Sequence, residues 1–124
     1  MHEAGYVHCD LKPENILLGS DDFSDKSSSR IVLIDFGIAL AWEKPDDFQH
    51  VGWEKIDEFR GNCLFASHNS FRGYTLSRRD DLISLAYLLS FLVTGRFLWM
   101  GEEAILDDKK LFQKVRDLKV KIRP

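Results

Sequence analysis

The sequence predicts a mainly α domain of the α+β class with one small β-hairpin. Three observations lead to that class. Two short apolar runs, "ENILLG" (14–19) and "RIVLID" (30–35), flank a Ser/Asp-rich stretch at 20–29 and read as paired strands. The run "RRDDLISLAYLLSFLVT" (78–94) is apolar on nearly every face, the mark of a helix wrapped by other elements. A last segment, 102–118, sets Leu111, Val115 and Leu118 at helical spacing and predicts an amphipathic, peripheral helix.

Each element has its own local cause. The first strand stops at Gly19, and the β-branched residues of 30–35 favour a pleated return strand. From Gly37 to about Ser70 no period survives, and a long irregular stretch inside a domain is usually functional or mobile. Ser77 suits the N-cap of the long helix. Asp80 and Asp81 fall in its first turn, where carboxylates complement the helix dipole, and Gly95 suits its end.

Bulk properties narrow the function classes. The chain has 124 residues, 30% of them charged, with a net charge of −3, which gives no electrostatic ground for nucleic-acid or membrane-surface partners. The apolar run 82–93 is too short to span a bilayer, and no secretory leader pattern opens the chain. Cys9 and Cys63 lack metal-ligand spacing and read as free thiols of a reducing interior.

Chemistry concentrates in two places, "HCDLKPEN" (8–15) and "DFG" (35–37). A strand-loop-strand unit can carry Asp10, Asn15 and Asp35 to one end of the hairpin. A carboxylate and an amide oxygen there suit a hard divalent ion, Mg²⁺. A second carboxylate can take a proton from a hydroxyl, and Lys12 offers a positive charge to phosphate oxygens. Phosphoryl transfer needs these parts and little covalent help.

These residues closely resemble the catalytic loop and DFG element of eukaryotic protein kinases, in the Lys-Pro-Glu form of the serine/threonine enzymes. Residues 64–89, "LFASHNSFRGYTLSRRDDLISLAYLL", are similar to casein kinase I and its vaccinia-related relatives. The resemblance implies a partial protein-kinase C-terminal lobe over 1–124. It would hold a catalytic loop at 8–15, an activation segment at 35–69, a large buried helix at 78–94 and a peripheral helix at about 102–118. By the same resemblance Asp10 orients the substrate hydroxyl and accepts its proton, and Lys12 touches the transferring phosphate. Asn15 and Asp35 would hold Mg²⁺ on ATP, His8 would pack beneath the loop, and Asp81 would hold it through backbone contacts. Arg78 and Arg79 would recognise phosphate on a pre-phosphorylated substrate; their plainer role is pairing with Asp80 and Asp81. The implied partners are Ser/Thr protein substrates, in a cytoplasmic or nuclear setting.

The pattern also departs from the family. Cys9 stands where an arginine usually reads activation-loop phosphate, so no phosphorylation switch is expected in 38–65. Asn62 stands where a threonine commonly supports the catalytic pair, and Ala86 where glycine is frequent. The sequence contains no glycine-rich phosphate loop and none of the family's N-terminal lobe, so the expectation is part of a larger kinase domain, inactive in isolation. The alternative expectation is a catalytically inactive remnant that serves as a protein-binding module.

Overall fold

Two short antiparallel pairings set the course of the first forty residues in the computed structural model, which describes residues 1–20, 24, 30–43, 49–97, 99 and 108–121. Strand β1 (Tyr6–Val7) pairs with β4 (Leu40–Ala41), and β2 (Ile16–Leu18) pairs with β3 (Ile31–Leu33). The second pair is the predicted hairpin, with Ile16 opposite Leu33 and Leu18 opposite Ile31. It is shorter than the apolar runs suggest. Pro13, which has no N–H, opens a 3₁₀ turn over Pro13–Asn15, and the ladder is continued by the Ile34 N–H bonding to the Asn15 carbonyl at 3.0 Å. The β1–β4 pair leaves no sign in the sequence, because two residues a side show no period. The loop of the hairpin lies mostly outside the described residues.

The pairing of β1 with β4 seals a small core. Val7, Cys9 and Leu76 are buried together, with Ile38, Leu40 and Trp42 packed on them. Among the described residues, the irregular sequence between 37 and 70 adds to β4 the single turn α1 (His68–Phe71), N-capped by Ser67.

Helix α2 spans Arg78–Thr94, as the sequence predicts. The Ser77 N–H donates to Asp80 Oδ2 at 2.8 Å, and Gly95, at φ 66°, closes the far end with its N–H on the Phe91 carbonyl. Burial of α2 by the described elements is one-sided. Its buried line is Asp80, Asp81, Ser84 and Leu88, while Leu82, Leu92 and Val93 are 60%, 63% and 85% exposed. The described elements pack on one side of α2 only, so its apolar outer face stays open. Helix α3 covers Asp108–Val120; residues 102–107 of the predicted segment lie outside the described residues. Its buried residues differ in part from the Leu111, Val115 and Leu118 line. Leu118 is exposed, whereas Val115 and Lys119 are fully buried against the region of α1. Phe112 joins Phe59 and Phe71 in a ring cluster with centroids 4.7 to 5.3 Å apart. Among the described residues no helix is long and apolar enough to cross a membrane.

Candidate active site

The loop from His8 to Asn15 is held from below by one carboxylate. Asp81, in the first turn of α2, accepts the His8 N–H on Oδ2 at 2.8 Å and the Cys9 N–H on Oδ1 at 2.9 Å. His2 Nε2 lies 2.7 Å from the same Oδ2. These bonds keep Cys9 at φ 68°, a left-handed conformation that costs an L residue about 1–2 kcal/mol. The fully buried His8 ring then locks the loop to the second motif. Its Nδ1 accepts the Asp10 N–H at 3.3 Å, so Nε2 carries the proton and donates to the Ile34 carbonyl at 3.0 Å. Phe36 stacks obliquely on it, ring centroids 5.2 Å apart.

Above this base three of the predicted residues meet. Lys12 Nζ donates to Asp10 Oδ2 at 2.7 Å, and Asn15 Nδ2 donates to the same oxygen at 3.1 Å and to the Asp10 carbonyl at 2.9 Å. The hydrogen bond to Asp10, with the charges of Asp10, Glu14 and Asp35, holds the Lys12 ammonium above its ordinary range. With its amide nitrogen committed to Asp10, Asn15 has Oδ1 as its remaining polar atom. Asp35 follows β3, next to the Ile34–Asn15 backbone bond, at φ 61°, with Oδ1 accepting the Gly37 N–H at 3.3 Å. Its carboxylate is exposed, and its charge reaches Lys12. An amide oxygen and an exposed carboxylate are a donor set that fits Mg²⁺, which keeps several non-protein oxygens. Among the described residues no cluster of three His, Cys, Asp or Glu could hold an ion alone.

A second layer ties the irregular segment to this loop. Gly61, at φ 104°, passes so near the 8–15 loop that a Cβ would sit 2.5 Å from the Cys9 carbonyl oxygen. Asn62 turns inward on its own segment, Oδ1 accepting the Leu64 N–H at 2.8 Å. The Ala-Ser-x-Asn run docks on α2: Ser67 Oγ and Asn69 Nδ2 both donate to Asp80 Oδ1, at 2.7 and 2.8 Å. Burial, then the Asp81 charge, pushes the Cys9 thiol up to about 12.

Arg78 and Arg79 do not join Asp10. The Arg78 guanidinium lies 3.7 Å from the centre of the Trp42 ring, and that of Arg79 lies 4.1 Å from Trp53. Arg79 also donates to Ser77 Oγ and the Thr75 carbonyl, at 2.7 and 3.0 Å, and approaches Asp80 Oδ2 at 3.5 Å. Lys119, which sequence reasoning missed altogether, donates to three backbone carbonyls of residues 63–66. Nothing in an amphipathic pattern marks a lysine as the buried member of its face.

Residues 1–123 match the protein kinase domain. The chain is 44% identical over 113 residues to Casein kinase 1-like protein HD16 of Oryza sativa subsp. japonica, covering 90% of this chain and 15% of that protein. It is 32% identical over 122 residues to a probable casein kinase I homolog of Encephalitozoon cuniculi, covering 98% of this chain and 38% of that protein. The chain therefore spans well under half the length of these two relatives.

Proposed function

The chain belongs to the protein kinase family and resembles its casein kinase I group, and from that membership we propose that it carries the catalytic-loop half of a serine/threonine kinase site, within a C-terminal-lobe arrangement. One observation carries the reading: Lys12 and Asn15 converge on a single oxygen of Asp10. That leaves Oδ1 of Asp10 to orient a substrate hydroxyl and take its proton as the oxygen attacks. Lys12, held cationic, faces the transferring phosphoryl group and offsets its charge. Protein kinases generally use ATP and Mg²⁺; bound here, Mg²⁺ would neutralise phosphate charge, with Asn15 Oδ1 and Asp35 as its protein ligands. Arg78, exposed and stacked on Trp42, presents its guanidinium edge to a phosphate already on the substrate, and Arg79 frames the same surface.

The test is Asp10→Asn in the full-length protein, assayed for γ-phosphoryl transfer to Ser/Thr peptides. A fall in kcat of about 10²–10⁴-fold is expected. Equal activity of the variant would remove Asp10 from the chemistry, whereas no transfer and no magnesium-dependent ATP binding by the unaltered protein would leave a binding module instead. Arg78→Ala should slow pre-phosphorylated peptides more than unphosphorylated ones. An equal effect on both removes the recognition role.

A further inference from the structure

Lys119 is a cation in a place where an apolar side chain would pack. Its residue is 0% exposed, one turn beyond the equally buried Val115 on the inner face of α3. Its ammonium lies 4.2 Å from the Trp99 ring centre and 4.7 Å from that of Tyr87. Its three donors meet three carbonyl oxygens of one turn: Cys63 at 3.1 Å, Leu64 at 2.8 Å and Ala66 at 2.7 Å. Burial pushes this ammonium down, to about 7, with Cys63 working the other way. The carbonyl cage resists the same shift, because three acceptors need three N–H donors and only the charged form has three.

A buried ion is usually no more stabilising than a well-packed apolar side chain, so its presence calls for another account. The turn it binds supplies one. Asn62 closes that turn, its carbonyl accepting the Phe65 and Ala66 N–H groups at 3.2 and 2.7 Å. On one side of it Gly61 touches the Cys9 carbonyl of the catalytic loop; on the other Ser67 is bonded to Asp80 of α2. The turn is thus the only covalent stretch between those two anchors, and Lys119 is the group that satisfies its outward carbonyls.

We propose that Lys119 is a positioning residue for phosphoryl transfer, fixing the 62–66 turn so that Gly61 seats the catalytic loop at Cys9. This deepens the kinase reading and rests on it. The test compares Lys119→Met and Lys119→Arg with the unaltered full-length protein, by hydrogen exchange and by kinetics. Lys119→Met should raise exchange of 61–67 and 8–15 about tenfold, with the hairpin strands unchanged. It should lower kcat about tenfold, with KM for ATP within about twofold, and Lys119→Arg should recover most of both losses. Should Lys119→Met fail to fold, Lys119→Gln decides, since its amide offers two donors to the same three carbonyls. Exchange that is unchanged, or raised uniformly across the domain, overturns the proposal, as does a loss confined to ATP KM. A protein that transfers no phosphate would defeat the kinase reading alone, while the exchange comparison still judges whether Lys119 holds the turn.

Discussion

Replacing Asp81 with asparagine is the sharpest perturbation of the site that leaves its shape unchanged. Both carboxylate oxygens receive backbone N–H groups, from His8 and Cys9, at a residue only 4% exposed. An asparagine has one acceptor oxygen, so its NH₂ must face one of those N–H groups. A hydrogen bond to a charged group contributes about 1.5–3 kcal/mol, and an orphaned buried donor costs about 1–3 kcal/mol. One charged bond lost, one weakened to a neutral bond and one donor orphaned come to about 3–5 kcal/mol. The left-handed Cys9 adds to this, since the bond that fixes its conformation is the one at risk. Urea unfolding of the full-length protein reads the total, and hydrogen exchange over 6–12 reads its location. A stability change under about 1 kcal/mol, with the His8 and Cys9 amides as protected as before, would refute the reasoning.

Other positions give further tests. Gly61→Ala places a Cβ 2.5 Å from a backbone oxygen at φ 104°, and thermal melts should show a loss of about 2–4 kcal/mol; a neutral variant would mean that the two loops separate easily. The Cys9 thiol, at about 12 against an ordinary 9.0, keeps its proton in the fold where the unfolded chain loses it. Its contribution is therefore whole below pH 9.0 and is lost as pH rises through about 12. Peptide mass spectrometry after iodoacetamide at mildly alkaline pH should find the half-buried Cys63 modified first and Cys9 only on unfolding; the reverse order contradicts the burial argument. Trp53→Ala removes the ring under Arg79, and limited proteolysis should cut the 49–60 segment several times faster, in line with about 1 kcal/mol for such a stack.

The sequence made α2 legible to the residue, because a capping serine, a first-turn aspartate pair and a terminal glycine all agreed on its limits. It also placed the hairpin, and its spacing pointed Asp10, Asn15 and Asp35 to one end of it; that Lys12 and Asn15 share one oxygen of Asp10 is learned from the structure. Long-range geometry was not legible. That Asp81 reaches back 73 residues to His8 came only through resemblance, and the β1–β4 pair is too short to leave a pattern. Lys119 was invisible for a different reason: its place on the buried face of α3 is set by carbonyls from residues 63–66, not by any property of its own neighbours in sequence.

The tryptophan–guanidinium stacks have one more consequence. Between 38 and 65 the sequence holds no serine, threonine or tyrosine at all. A segment whose rings are clasped by Arg78 and Arg79, and whose covalent surface offers no hydroxyl, has nowhere to receive a phosphoryl mark. Phosphorylation of a hydroxyl side chain can therefore act on it only from residues outside that stretch.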